Sequence, residues 1–129
     1  MSNKISIICV SGTREKLQMA AMIASVAAAT GAQVSVFFSM NALPHFVKGR
    51  AADVPSEGAF GQLLQQQGVP PFKQLFQQAA ELGDAVLLPC SMALDILKLT
   101  TDDLDPELGP PTGLTRFLGD ADGGQLLTF

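Results

Sequence analysis

The chain has 129 residues, a formal net charge of −4, 16 % charged and 47 % hydrophobic residues, two cysteines and one histidine. That length fits a single domain over residues 1–129, large enough to bury a core without disulfides or metal. The acidic balance and the lack of a basic run argue against nucleic-acid binding. Two distant cysteines and a lone histidine do not supply a structural zinc site, so no metal and no other cofactor is expected.

Met1 to Lys4 leads straight into an apolar run, unlike a signal peptide. Lys4–Val10 predicts a buried strand through β-branched Ile5, Ile7, Ile8 and Val10. Ser11-Gly12-Thr13 forms a turn, and a helix follows from Arg14. Leu17, Ala20, Ala21, Ala24 and Ala28 share one face of it, and Met19, Met22, Ile23 and Val26 cover much of the rest. A helix apolar so far round is expected to be well buried, and Gly31 ends it. It is too short and too rich in alanine to span a bilayer, so no membrane partner and a cytoplasmic location are expected. Gln33–Ser39 is the second strand. Met40–Lys48 is a short helix or turn.

Ala51–Gly68, with Pro55, three glycines and a glutamine run, reads as a surface excursion with a helical turn near Phe60–Gln67. Pro70-Pro71 opens a helix that Gly83 stops. Asp84–Pro89 is the third strand. Ser91–Leu99 is a helix with Met92, Ile96 and Leu99 on one side. Thr101–Pro111 is an acidic connection, and Thr112–Ala121 a last helix with Leu114, Phe117 and Leu118 inward. Gln125–Phe129 is the final strand. The order β-α-β-α-α-β-α-α-β predicts an α/β fold, a mainly parallel sheet with helices on both faces. That order contains four strands; the flavodoxin-like fold class adds the expectation of a five-stranded sheet, with strands two and three flanking strand one. The loops after strands one, two and three then share one edge of the sheet.

Cys90 ends the third strand and precedes a helix. Ligands of open α/β sheets bind at such strand ends, and unpaired N–H groups at a helix N-terminus favour a thiolate. Ser91 is placed to cap the helix or hydrogen-bond the sulfur. His45 is the only histidine and nothing obvious orients it as a base, which favours chemistry a thiolate performs alone: sulfur transfer, thiol exchange or redox. Against this stands the common fate of a free cysteine, buried as a small apolar residue. Cys9, inside the first strand, is expected in the core. A contact with Cys90 follows only if strands one and three are neighbours. Ser11-Gly12-Thr13 has the geometry of a helix cap or an anion cradle, without a nucleotide-binding glycine pattern. Met19, Met22, Met40 and Met92 read as core or interface fillers. Lys48, Arg50 and Lys73 read as solvated cations or a docking aid for an acidic partner.

The string Cys90-Ser91-Met92-Ala93-Leu94-Asp95-Ile96-Leu97 resembles the C-x-M-x-M-D-x-M segment of the DsrE/DsrF/DsrH-like, TusD-related sulfurtransferase family, which includes small proteins labelled peroxiredoxin-like. The first strand with Ser11-Gly12, Gly31 to Phe38, Pro71 to Gly83 and Thr101 to Leu104 are similar to that family too. Leu94 replaces the second methionine, and Ala51–Val69 has no counterpart in the pattern. The resemblance implies a cytoplasmic sulfur carrier. In it Cys90 takes sulfane sulfur as a persulfide from a donor protein and relays it to an acceptor thiol. Ser11, Gly12, Asn41, Ser91 and Met92 surround the sulfur, no cofactor takes part, and the chain forms a homo-oligomer such as a trimer or hexamer. The alternative is an oligomeric scaffold or small-ligand-binding module of the same fold. A thiol peroxidase is disfavoured, because neither threonine nor arginine adjoins Cys90.

Overall fold

The computed structural model describes residues 3–50 and 54–129. Residues 1–2 and 51–53, including the start of the expected excursion, lie outside the described residues. Four strands form a fully parallel sheet: β1 (Lys4–Cys9), β2 (Gln33–Phe38), β3 (Val86–Pro89) and β4 (Gln125–Thr128). The α/β class, the parallel sheet and the two helical layers agree with the pattern in the sequence.

Two features of the sheet differ from expectation. The order is β3-β2-β1-β4, so β3 lies beyond β2 instead of beside β1. Successive crossovers from β1 through β2 to β3 run in one direction, and only the last connection returns to the far side of β1. The strand count is four instead of five. Outside β3, residues 108–112 lie where a fifth strand would be. Leu87 and Cys90 form isolated parallel bridges to Leu108 and Thr112. Gly109 N–H donates to Leu87 O at 2.6 Å and Thr112 N–H to Pro89 O at 3.0 Å. Between them, Pro110 and Pro111 have no N–H to donate, so the ladder cannot become regular.

Alternation along β2 builds the two layers. Phe38 packs on Phe46 and Phe76 (ring centroids 4.1 and 5.1 Å) on the side of α1 (Arg14–Ala29) and α3 (Phe72–Gly83). Phe37, pointing to the opposite face, meets Phe117 of α5 (Leu114–Asp120) at 5.0 Å. The alanines of α1 let α3 approach so closely that a side chain at Gly83 would strike Ala28.

Helix faces are less buried than their composition suggests. Met19, Met22 and Val26 of α1 are exposed, so that helix is buried on one side only. In α4 (Ser91–Leu97) the buried pair is Ala93 and Leu94, while Met92 and Ile96 face outward. In α5 only Phe117 is buried; Leu114 and Leu118 are exposed. Met19, Met22, Met40 and Met92 are all exposed and none fills the core. The described part of the excursion contains the helical turn expected near Phe60–Gln67, as a five-residue helix, α2 (Ala59–Leu63), continued by turn hydrogen bonds to Gln66. Among the described residues no helix is long and apolar enough to cross a membrane.

Candidate functional site

The C-terminal ends of β1, β2 and β3 are stitched into one edge by main-chain hydrogen bonds. Ser39 N–H donates to Cys9 O (3.0 Å), Asn41 N–H to Val10 O (3.1 Å) and Cys90 N–H to Phe38 O (2.9 Å). Met40, between the first two of these, sits at φ 51°, a left-handed conformation unusual for methionine. Such local strain persists where the surrounding bonds over-determine it, as the flanking bonds at Ser39 and Asn41 do here.

Cys90 occupies the N-cap position of α4, the role the sequence suggested for Ser91. Leu-Leu-Pro ends the strand because proline cannot donate to a further ladder step. The chain then turns at Cys90 with extended backbone (φ −69°, ψ 123°), the usual N-cap conformation. An N-cap side chain lies beside the first free N–H groups of its helix. One of the two expected to serve the sulfur is already engaged: Ser91 N–H donates to Thr112 O at 3.0 Å. The Met92 N–H remains. The Cys90 residue is only 5 % exposed, while its neighbours Met40, Met92 and Ile96 are 56, 51 and 70 % exposed. Those three, with Asn41, Ala93 and Leu97, line a shallow groove of about 190 Å³ along α4, and Cys90 itself is not among its walls.

Ser11, Gly12 and Asn41 do come together, but around a different cavity. With Thr13, His45 and Arg50 they line a polar space of about 370 Å³. Cys90, Ser91 and Met92 are not among its walls. Asn41 alone borders both spaces. Gly12 is required by the close approach here: a side chain on it would lie 2.5 Å from the Asn41 carbonyl oxygen and 3.1 Å from His45 Nε2.

His45 and Arg50 were not assigned to a site from the sequence. His45 lies on a 3₁₀ turn (Leu43–Phe46), is 7 % exposed, and buries Nδ1 without a hydrogen-bond partner. Burial, then the charge of Arg50, holds its ring below the ordinary histidine pKa, with Lys73 and Arg14 adding to the effect and a backbone hydrogen bond at Gly12 opposing it. The one clue in sequence was Pro44-His45-Phe46 directly after the second strand. The cations around the ring come from remote segments and leave no local pattern.

The 54–58 segment closes over the start of α1. Arg14 N–H donates to Pro55 O (2.9 Å), and the Glu15 carboxylate accepts from Glu57 and Gly58 N–H (2.9 and 2.8 Å). Those amide bonds hold the Glu15 carboxyl below the usual carboxylate range. Glu57 in turn accepts from Thr13 Oγ1 at 2.7 Å.

Cys9 does not reach Cys90. Cys9 pairs with Phe38, and Phe38 with Pro89, so two strand spacings intervene. Two spacings are roughly 10 Å, beyond the Cα separation a disulfide can bridge. Burial pushes the Cys9 thiol up to about 12.

The DsrE/DsrF-like family model matches residues 3–129. MTH1491 of Methanobacterium thermoautotrophicum, a protein of unknown function, superposes with a TM-score of 0.70 at 9 % identity, covering 98 % of both chains. The ychN protein of E. coli gives a TM-score of 0.70 at 14 % identity over 100 % of both chains. At these identities the likeness is one of fold. No curated protein matches the chain.

Proposed function

The chain belongs to the DsrE/DsrF-like family, and on that premise we propose that it is a sulfur carrier working through Cys90. The observation that supports this is the position of Cys90 at the N-cap of α4, on the shared loop edge, the same helix that lends exposed Met92 and Ile96 to an apolar groove with Met40. An exposed apolar rim near a recessed nucleophile suits a carrier whose donor and acceptor are proteins, because docking covers the rim and brings the reacting sulfur to the thiol.

The Cys90 thiolate attacks the outer sulfur of a donor persulfide, R–S–SH. A new S–S bond forms to Cys90 and the donor's S–S bond breaks, releasing the donor thiolate. An acceptor thiolate then attacks the outer sulfur of Cys90–S–SH, leaving as the acceptor persulfide and regenerating the Cys90 thiolate. Neither step changes the total oxidation state, so no redox cofactor is needed. The Cys90 side chain makes no capping hydrogen bond in the resting structure, and the Met92 N–H, in the first turn of α4, is the backbone donor a persulfide anion would recruit. The expected homo-oligomer has support in the exposed Met19, Met22 and Val26 of α1.

Incubation with polysulfide followed by native and denaturing mass measurement tests both points. The carrier gains one or more sulfur atoms that dithiothreitol removes, and Cys90→Ser gains none. Wild-type protein that takes up no sulfur sinks the carrier; a native mass equal to one chain removes the oligomer. A second reading, a scaffold that retains Cys90 only for packing, draws on the thiol's 5 % exposure. It expects no uptake and unchanged assembly in Cys90→Ser.

A further inference from the structure

The polar cavity lined by Ser11, Gly12, Thr13, Asn41, His45 and Arg50 has chemistry of its own. Its floor is the β1–α1 turn, at the positive end of a 16-residue helix. One wall is a histidine more than nine-tenths buried, whose Nδ1 meets no hydrogen-bond partner. A buried polar atom left unmade in an otherwise satisfied fold calls for a role. The opposite wall carries the Arg50 guanidinium, which donates one Nη1 hydrogen bond to Pro44 O at 2.9 Å and retains further donors in its fork. A volume of about 370 Å³ falls in the range of small-ligand sites.

We infer that this cavity binds a small oxyanion, either free or as the head group of a small organic molecule, held by Arg50, His45 and the Ser11–Thr13 turn. The guanidinium supplies charge and a planar fork matched to phosphate, sulfonate or carboxylate oxygens. The Ser11 hydroxyl donates to Thr13 Oγ1 at 3.1 Å, because the Thr13 proton goes to Glu57, and a ligand oxygen must compete with Thr13 for it. His45 is a lining residue whose Nδ1 has no partner, and a ligand oxygen that reaches it would supply one. The inference is separate from sulfur transfer, because Cys90 does not border the cavity.

Binding is coupled to protons. The charged groups around His45 are Arg14 on α1, Arg50 beyond the 3₁₀ turn and Lys73 on α3, the last paired with Asp105 at 2.9 Å; Glu57 stands behind the turn on Thr13. Burial first, and then these cations, disfavours the charged ring in the empty site. A bound anion offsets them and favours the imidazolium, so affinity rises as pH falls through the bound-state pKa and levels off below the free-state pKa.

Calorimetric titration of the full chain at constant ionic strength tests this with four probes: phosphate, thiosulfate, ethyl phosphate and ethanesulfonate, with chloride as the blank. Saturable binding of one anion per chain is expected. Arg50→Gln should weaken it by about tenfold or more, the worth of one charge-assisted hydrogen bond. Arg50→Lys should restore part of the loss. His45→Gln should flatten the pH dependence, and Cys90→Ser should bind as wild type. Tighter binding of the ethyl forms identifies an organic ligand, and tighter binding of the bare ions an inorganic one; either supports the site. Failure of all four probes to saturate overturns it, as does wild-type affinity in Arg50→Gln. Binding that disappears in Cys90→Ser also overturns it, by placing the anion at the thiol. Sulfur uptake on Cys90 is read by mass and is indifferent to every one of these outcomes.

Discussion

The ends of β1 and β3 each carry a cysteine at the same sheet edge, and both residues are nearly inaccessible, at 0 and 5 % exposure. Their surroundings nevertheless differ in kind. Cys9 is the last residue of a central strand, with β2 on one side and β4 on the other. Cys90 follows the last residue of β3, whose outer neighbour is only the proline-broken 108–112 segment, and it begins a helix seven residues long. Moving Cys9 means opening a ladder; moving Cys90 means shifting a short helix edge. Static exposure is thus a poor guide to reactivity here, and what separates the two thiols is how much hydrogen-bonded structure must open to uncover each.

The sharpest way to break this contrast is chemical labelling. With its thiol pushed up to about 12, Cys9 holds only about one part in ten thousand as thiolate at pH 8, before any cost of opening the sheet. Iodoacetamide at that pH is therefore expected to modify the native chain once, at Cys90, and to reach Cys9 only in denaturant. Peptide mapping of the adduct decides it. Equal labelling of the two thiols, or earlier labelling of Cys9, would erase the distinction between the strand ends.

The β1 end is further distinguished by a backbone contact that has no counterpart at α5. A Cβ at Gly12 would sit 2.5 Å from the Asn41 carbonyl, a main-chain atom held by the Asn41 N–H bond to Val10 O. Gly12→Ala should lower stability by about 1–3 kcal/mol, the usual cost of overpacking where the neighbour cannot move aside. Gly119, inside α5, has nothing within 4 Å of its would-be Cβ. Gly119→Ala should raise stability by about 0.5–1 kcal/mol through helix propensity alone. Urea midpoints of the two variants read the opposite signs; two losses of equal size would show that the β1 turn is no tighter than an open helix face.

The features legible in the sequence were those written in local pattern. Ile5, Ile7, Ile8, Val34 and Val36 mark strands because β-branched runs suit little else, and Pro89-Cys90 marks a strand end because proline stops the ladder. The strand order was not legible. Whether the crossover from β2 continues outward or returns past β1 depends on which side α3 packs, and no residue in the chain states that choice. The buried face of α4 was not legible for a related reason: Met92, Ala93, Leu94, Ile96 and Leu97 make it apolar all round, so periodicity favours no side, and the small Ala93 with Leu94 fits the core while Met92 and Ile96 remain outside. The edge segment 108–112 escaped notice because Pro110 and Pro111 remove the donors a strand needs, and the segment makes only isolated bridges to β3 and Cys90. The cavity at the β1 end escaped because its lining comes from separate segments, the Ser11–Thr13 turn, Asn41 to His45, Arg50 and Pro55, with no local pattern to mark it.

The smallest expected effect is a pH dependence that belongs to the β1 end alone. The His45 ring titrates below the ordinary histidine value when folded, chiefly because burial disfavours its charge. Between that lowered pKa and about 6.5 the unfolded chain binds more protons than the folded one, so stability rises with pH across this window. The contribution is fully present above about 6.5 and is lost as pH falls through the folded pKa. Glu15 acts in a separate, more acidic window: its carboxyl is depressed by the Glu57 and Gly58 amides, so its contribution disappears only as pH falls below the ordinary glutamate range. Urea midpoints measured from neutral pH downward, without added oxyanion, should therefore decline in two stages, and His45→Gln should remove the first while leaving the second. A single acidic stage in the wild type would mean that His45 titrates normally. The ring would then be in contact with water, its Nδ1 would have a partner in solution, and the β1 end would no longer differ from the β3 end in holding a buried group that waits for one.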